Sequence, residues 1–314
     1  MLKIDLITGF LGAGKTTFIH KYLDFLKRNG VKAAIIENEF GCADVDARLL
    51  QDTQVPIRSL TGVCMCCRGK SMFQNMIISA AKEGYDRLLV EPSGIYDVDE
   101  FFSTMMDQEV RSLSEIGSII TIVDAIAAEP QSDAAGYLRF SQILSAGVIL
   151  LSKTQMASME EIESVKTQLH DSLLAYGCTR VLKNEDLLIK CWDDFTDADF
   201  QRISSAGYRL FDHKREALDH QSIFQAFPFA SYCRGEADLS EKIHQLFSDV
   251  TPGRVCRVKG HIRDLSGNWY ELNCTRECFS VRKVEIKRGL FMIIGEELDK
   301  RYLEALFIDK KSAR

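Results

Sequence analysis

The sequence predicts an α/β chain: a doubly wound, mainly parallel sheet followed by a smaller C-terminal α+β domain. Three observations predict it. From Ile4 to Leu151, short apolar runs suited to strands buried on both faces alternate with segments of helical periodicity. The first of these runs leads into a glycine-rich stretch and then a helix. From Phe227 the alternation gives way to closely spaced strands. These rhythms set the domains at 1–215 and 220–314, and 314 residues suffice for two cores.

Ile4-Asp5-Leu6-Ile7 reads as the first strand. It runs into Gly9-Phe10-Leu11-Gly12-Ala13-Gly14-Lys15-Thr16-Thr17, which fits GxxxxGKT, the phosphate-binding loop (P-loop) of nucleoside triphosphatases. Glycines let the backbone turn tightly enough for successive N–H groups to face phosphates. Lys15 is expected to reach the β- and γ-phosphates and the Thr16 hydroxyl to ligate Mg²⁺, with Gly12, Ala13, Gly14 and Thr17 completing the cradle. The following helix carries Ile19, Tyr22, Leu23 and Leu26 on one face and stops at Asn29-Gly30. Strand, glycine loop and helix are the context this chemistry needs, because the helix N-terminus itself attracts anions.

Val31 to Ile36 is the second strand, followed by the acidic segment Glu37-Asn38-Glu39-Phe40-Gly41-Cys42-Ala43-Asp44-Val45-Asp46. Gly62-Val63-Cys64-Met65-Cys66-Cys67-Arg68-Gly69 precedes a helix whose expected buried stripe is Met72, Phe73, Met76, Ile77 and Ala80, ending at Gly84. Arg87 to Glu91 is an apolar strand ending in a carboxylate, and Pro92-Ser93-Gly94 follows. Ser118 to Asp124 and Val148 to Leu151 suit central parallel strands. Ser158 and Glu161 form a capping box for a helix with Met159, Ile162 and Leu169 inside. Residues from 184 to 220 show no clear period; Asp193, Asp194, Asp197 and Asp199 form either a carboxylate cluster or, the better reading, the solvated start of a helix. The second domain opens with a strand from Phe227 to Tyr232 and a helix capped by Asp238 and Glu241. Strands follow near 254–262, 268–274 and 278–287, the first two joined by Ser266-Gly267-Asn268, then a strand from Leu290 to Ile294 and a helix from Glu296 to Phe307. In a doubly wound sheet ligands gather at the carboxyl ends of strands. Gly9, Glu39, Glu91 and Ser152 all follow such ends.

A net charge of −6 carries no electrostatic footprint for nucleic acid or an acidic membrane surface, and no apolar run approaches membrane-spanning length. Met1-Leu2-Lys3 runs directly into the first strand, so no export signal and a cytoplasmic location are expected. Ten cysteines in that setting read as buried residues, metal ligands or redox groups rather than a disulfide framework. The scattered Cys178, Cys191, Cys233 and Cys256 read as small core residues.

The clustered thiols read differently. Cys64 and Cys66, two apart in an extended segment, point the same way, and a bend brings Cys67 into the same space. Three thiolates make a soft site that favours Zn²⁺ or Cu(I) over Mg²⁺, and three protein ligands leave one position open, which suits transfer. Buried thiols or a redox couple are the other readings; three cysteines in four residues favour metal. The thiol loop lies between the Glu39 segment and the Glu91 strand, both placed to sense Mg²⁺ and a γ-phosphate, so a metal site there would be coupled to the nucleotide.

These motifs together resemble the CobW family of P-loop GTPases, relatives of the hydrogenase and urease nickel-insertion GTPases, over most of the chain. Gly9 through Thr17 resembles that family's Walker A, Asn38-Glu39-Phe40-Gly41 its switch segment, Cys64-Met65-Cys66-Cys67 its CxCC motif, and Glu91-Pro92-Ser93-Gly94 its Walker B and switch II. Gly253-Arg254 through Gly260, Gly267-Asn268-Trp269 and Ile294-Gly295 with Leu298 resemble its C-terminal domain. The resemblance implies a GTP-dependent metallochaperone or metal-insertion factor, with zinc or cobalt as the metal. This chain departs from the pattern in three places. Where the family reads the base with NKxD, it has Ser152-Lys153-Thr154-Gln155. Gln155 offers one acceptor and an unwanted donor where a carboxylate accepts twice from guanine, so weaker guanine selectivity is expected, with the Lys153 stem still laid on the base. Cys42 stands where relatives often carry glutamate, and is either a fourth thiolate or a small loop residue. The histidine-rich stretch of some relatives is missing.

The resulting expectation is a slow, cytosolic GTPase that binds Zn²⁺ or Co²⁺ and delivers it to a client metalloprotein. Lys15, Thr16 and Mg²⁺ stabilise charge on the phosphates, Glu91 holds Mg²⁺ directly or through water, and Glu39 orients the attacking water. Two other classes stay open. A P-loop small-molecule kinase has no use for CxCC, and no arginine-rich lid is visible. A nucleotide-binding metal sensor would show little hydrolysis. Phosphate release with and without metal separates them.

Overall fold

The structure, a computed structural model, describes residues 1–39, 55–61, 69–126, 132–214, 223–285 and 289–307. They divide into two compact units, one up to residue 214 and one from residue 223. Among the described residues no helix is long and apolar enough to cross a membrane.

The first unit is a seven-stranded, wholly parallel sheet. Its strands are β1 (Leu2–Thr8), β2 (Ala33–Glu39), β3 (Ile57–Thr61), β4 (Arg87–Glu91), β5 (Ser114–Asp124), β6 (Val148–Ser152) and β7 (Leu187–Ile189), in the spatial order β3-β2-β4-β1-β5-β6-β7. Every residue of β4 and β6 is buried, as expected of strands covered on both faces. The helices are α1 (Lys15–Arg28), α2 (Lys70–Lys82), α3 (Val98–Met105), α4 (Gln108–Leu113), α5 (Asp133–Leu144), α6 (Met159–Ala175) and α7 (Asp197–Ser204). One core cluster includes Phe73, Ile77 and Phe101 from α2 and α3; a second gathers Phe18, Tyr22 and Phe25 of α1 with Phe200 of α7.

A buried polar knot ties β1, α1 and β4, the elements that carry the phosphate loop and Glu91. Asp5, 0 % exposed, sits where the register of β1 against β5 shifts. Its Oδ1 accepts the Ser118 N–H at 2.9 Å, and its Oδ2 accepts the Tyr22 hydroxyl at 2.7 Å and an Arg87 N–H. Arg87 also donates to the Tyr22 oxygen at 2.9 Å and to the Ser204 carbonyl at 3.1 Å. Burial pushes the Asp5 carboxyl above its ordinary pKa, against the pull of Arg87.

The second unit is an antiparallel sheet ordered β12-β11-β10-β13-β8, with β9 paired parallel to β10. Its elements are β8 (Phe224–Phe229), β9 (Tyr232–Cys233), α8 (Glu236–Ser248), β10 (Arg254–Asp264), β11 (Trp269–Cys274), β12 (Val281–Val284), β13 (Phe291–Glu296) and α9 (Lys300–Leu306). Leu239, Ile243 and Leu246 of α8 pack on Val258, Ile262 and Leu272 of the sheet.

Several sequence expectations need correction. The second strand begins at Ala33 and runs to Glu39, so Glu37-Asn38-Glu39 is strand rather than loop. Met72 is 47 % exposed and Met159 71 % exposed; the helical stripes that include them are narrower than their apolar residues suggest. The capping box of Ser158 and Glu161 is present. The helix in the second unit starts at Glu236 after Gly235, and Asp238 accepts the Arg234 N–H at 2.8 Å from inside the first turn. The last helix starts at Lys300, behind an Asp299 cap. Cys178 and Cys233 are buried as expected, while Cys191 and Cys256 are half-buried. Burial pushes the Cys233 thiol up to about 11 and the Cys256 thiol to about 12, so neither supplies a ready thiolate.

Candidate functional site

Between β1 and α1 the glycines adopt the conformations their type permits. Gly9, Gly12 and Gly14 have φ of 146°, 81° and 98°. A side chain on Gly9 would collide with the Ile122 carbonyl oxygen. α1 has no side-chain cap hydrogen bond and no acid in its first turn. With no acid in that turn, the N-terminal end of the helix dipole favours an anion from outside the helix. Lys15 is 6 % exposed and donates to the Gly9 carbonyl at 2.9 Å, folded back over the loop. Thr16 is half-buried and Thr17 exposed.

At the adjacent strand end, the Thr16 hydroxyl donates to Glu91, with its oxygen 3.1 Å from Oε1 and 3.4 Å from Oε2. Glu91 closes β4 and is buried; Glu37, also buried, is its register partner on β2. This is an all-oxygen, acidic corner beside a phosphate cradle, the donor set that hard Mg²⁺ prefers when phosphate oxygens complete its shell. Thr16 and Glu91 are the residues that fit it. Glu39 is the last residue of β2, and its neighbour Asn38 is tied inward by donating to the Leu60 carbonyl at 2.9 Å. The backbone thus carries Glu39 to the same end of the sheet as Glu91.

The other flank of the loop faces the β6 end. Ser152 is buried, and both its Cβ and the ring of Trp192 approach Gly14: a Cβ there would lie 3.8 Å from the Ser152 Cβ and 3.2 Å from the indole. Lys153 has φ 56° and pairs with Asp124 at the end of β5. The other Asp124 oxygen accepts the Ile126 N–H at 3.0 Å. Gln155 is exposed in the turn that follows.

The structure thus brings together Gly12, Ala13, Gly14, Lys15, Thr16 and Glu91 on one side, and Ser152 and Lys153 on the other. Cys42, Cys64, Cys66 and Cys67 lie outside the described residues. Among the described residues no group of three or more histidine, cysteine or acidic side chains is arranged to hold a metal ion. Sequence reasoning missed Glu37, Asp124 and Trp192. Asp124 closes the strand expected from Ser118 and observed from Ser114, so its position at a carboxyl end is a signal present in the sequence. Trp192 lies in the stretch without a period and left none.

Residues 3–174 match the model of the CobW/HypB/UreG nucleotide-binding domain. The chain is 34 % identical over 167 residues to the zinc chaperone YjiA of Escherichia coli, covering 51 % of this chain and 52 % of that protein. It is 25 % identical to the zinc-regulated GTPase metalloprotein activator 1 of Schizosaccharomyces pombe, over 92 % of this chain and 79 % of that one. The match therefore spans about half the length of YjiA and more of the yeast relative. The crystal structure of zinc-bound YjiA GTPase aligns over 97 % of both chains at 19 % identity with a TM-score of 0.39, too loose a likeness to carry side-chain positions. With more than half of its length matched by that domain model and a P-loop in the expected strand-to-helix setting, the chain belongs to the CobW/HypB/UreG family.

Proposed function

We propose that the chain is a slow, cytoplasmic GTPase that binds a thiophilic divalent metal, zinc or cobalt, and delivers it to a client metalloprotein. The observation that carries the nucleotide half is the Thr16–Glu91 contact at the mouth of the phosphate loop. The thiols Cys64, Cys66 and Cys67, with Cys42 as the candidate fourth, carry the metal half from the sequence, and the roles of the zinc-chaperone relatives support zinc as the first metal to try.

The chemistry follows from the residues. The loop N–H groups and the α1 dipole bind the phosphates of GTP. Lys15, resting on the Gly9 carbonyl at one end of the loop, reaches the terminal phosphates and stabilises the charge that develops there. Thr16 and Glu91 would hold Mg²⁺ beside the nucleotide, where it would supply further charge neutralisation. Glu39 orients the attacking water. Lys153, steadied by Asp124, lays its stem against the base, while Ser152 and Gln155 line the same end. Hydrolysis then changes the contacts of the Glu39 and Gly94 segments, which flank the thiol loop in sequence.

The test is metal content and phosphate release measured on one reduced preparation. About one Zn²⁺ or Co²⁺ per chain is expected, with a strong thiolate-to-cobalt charge-transfer band, together with GTP turnover that Lys15→Ala abolishes. Cobalt binding by Cys66→Ser/Cys67→Ser equal to that of the parent would remove the thiol site, and an absence of turnover would leave a sensor.

A further inference from the structure

Gln142 stands near the end of α5, outside every motif, yet it is 2 % exposed and its amide is committed to the loop after β4. Nε2 donates to the Gly94 carbonyl at 3.1 Å and to the Tyr96 carbonyl at 3.3 Å. Its neighbour Ser141 accepts the Val98 N–H at 2.9 Å and donates to Asp97 at 2.6 Å. Two adjacent side chains of α5 therefore hold Gly94, Tyr96, Asp97 and Val98, the run that follows Glu91.

Gly94 in turn lies on the phosphate loop. A Cβ there would sit 2.6 Å from the Leu11 nitrogen and 2.9 Å from its Cα, so the two backbones touch with no room for a side chain. Which end of the loop this is can be read from its neighbours. Gly14, at one end, faces Ser152 and Trp192. Lys15 Nζ, the group that reaches the β- and γ-phosphates, rests at the other end on Gly9, two residues from Leu11. Gly94 therefore abuts the terminal-phosphate end.

We propose that Gln142 is a positioning residue for nucleotide hydrolysis: by holding the Gly94 carbonyl it keeps the Gly94 backbone against Leu11, where it meets a γ-phosphate but not a nucleoside diphosphate. The inference rests on the nucleotide reading above. A residue that only satisfied two buried carbonyls would affect GTP and GDP alike; a positioning residue separates them.

The experiment uses the full chain carrying Gln142→Leu, with Leu138→Ala as a cavity control on the same helix, since Leu138 is 0 % exposed. Affinities for GDP and a non-hydrolysable GTP analogue, turnover, and the urea midpoint are measured for each. Gln142→Leu is expected to lower analogue affinity and turnover about tenfold, the scale of one or two lost hydrogen bonds, with GDP affinity unchanged. Leu138→Ala is expected to lower the midpoint and leave the analogue-to-GDP ratio alone. A parent-like ratio in Gln142→Leu, or an equal shift in Leu138→Ala, overturns the proposal. If the leucine variant does not fold, Gln142→Asn, one methylene shorter, is read by the same criteria. Amide exchange of the unmodified chain gives a check without variants: residues 94–98 should exchange more slowly with the analogue than with GDP, and equal exchange overturns the proposal. A parent that binds neither nucleotide overturns the nucleotide reading itself, and this inference with it.

Discussion

Replacing Arg87 by leucine should be among the most damaging single changes in the first unit, and the structure sets its size. The Arg87 side chain is 11 % exposed and that of Asp5 0 %. Leucine fills part of the space but leaves a buried carboxylate with only the Tyr22 hydroxyl and the Ser118 N–H, and it abandons the Ser204 carbonyl. Stranding one partner of a buried ion pair costs about 3–5 kcal/mol. Tyr22→Phe removes its hydrogen bond to the same carboxylate and the acceptor of one Arg87 N–H, and should cost about 1.5–3 kcal/mol. Asp5→Asn combined with Arg87→Leu should recover part of the loss, because the buried charge is gone. The sequence has two tryptophans, Trp192 in the first unit and Trp269 in the second, so urea unfolding read by Trp192 fluorescence in a Trp269→Phe background isolates the first unit. The pH dependence has a definite sign. Burial already raises the Asp5 pKa, and losing Arg87 raises it further. A carboxyl raised in the folded state is a burden above its folded pKa, relieved as the pH falls towards the unfolded value of about 4. The deficit of Arg87→Leu should therefore shrink on acidification. A cost no larger than that of Tyr22→Phe, or a deficit that grows as the pH falls, would refute the reasoning.

Gly9→Ala should weaken binding of every nucleotide tested by fluorescence titration, because its Cβ meets the Ile122 carbonyl and the loop must shift; parent-like affinity would show that the loop tolerates the displacement. Gln155→Asp should raise discrimination of GTP over ATP by about 1–3 kcal/mol, the scale of a bidentate base contact, and a variant with unchanged selectivity would assign base reading elsewhere. Asp199 is pushed up by burial, but Lys190 and the Thr196 N–H and hydroxyl outweigh this and hold it at about 2. Because its folded pKa is depressed, its contribution is present above about pH 4 and lost as the pH falls through the folded value. Asp199→Asn should therefore destabilise the first unit at neutral pH by about 1 kcal/mol, through loss of its capping box, and match the parent in strong acid.

What could be read from the sequence was what short-range chemistry decides. The phosphate loop was legible because its glycines, lysine and threonine must be contiguous. Glu91 was legible because a carboxylate ended an apolar strand. The residues that escaped act across the sheet. Gln142 reaches Gly94 over a separation of 48 residues, and Arg87 reaches Asp5 over 82, so no local pattern announces either. Trp192 escaped because the segment around it takes its conformation from packing against Phe18 and Gly14 rather than from any period of its own. Met72 and Met159 were misplaced for a related reason: an apolar residue at helical spacing is buried only if a neighbouring element covers that part of the stripe.

On the proposed function, nucleotide state governs metal affinity. The order along the chain supports it: Glu39 and Cys42, then the thiols, then Glu91, so that the segments proposed to sense a γ-phosphate bracket the proposed metal ligands. Linkage requires that whatever factor separates the zinc affinities of the GTP and GDP forms also separates the nucleotide affinities of the zinc-loaded and zinc-free forms. The direct measurement is competition titration of Zn²⁺ against a thiol-compatible chelator, with a non-hydrolysable GTP analogue and then with GDP, and Lys15→Ala as the control. Zinc should bind more tightly with the analogue by about 1–3 kcal/mol, the usual range of such couplings, with a smaller difference in Lys15→Ala and nucleotide-free zinc affinity intact. Equal zinc affinities in the two nucleotide states would contradict it, leaving two independent sites on one chain.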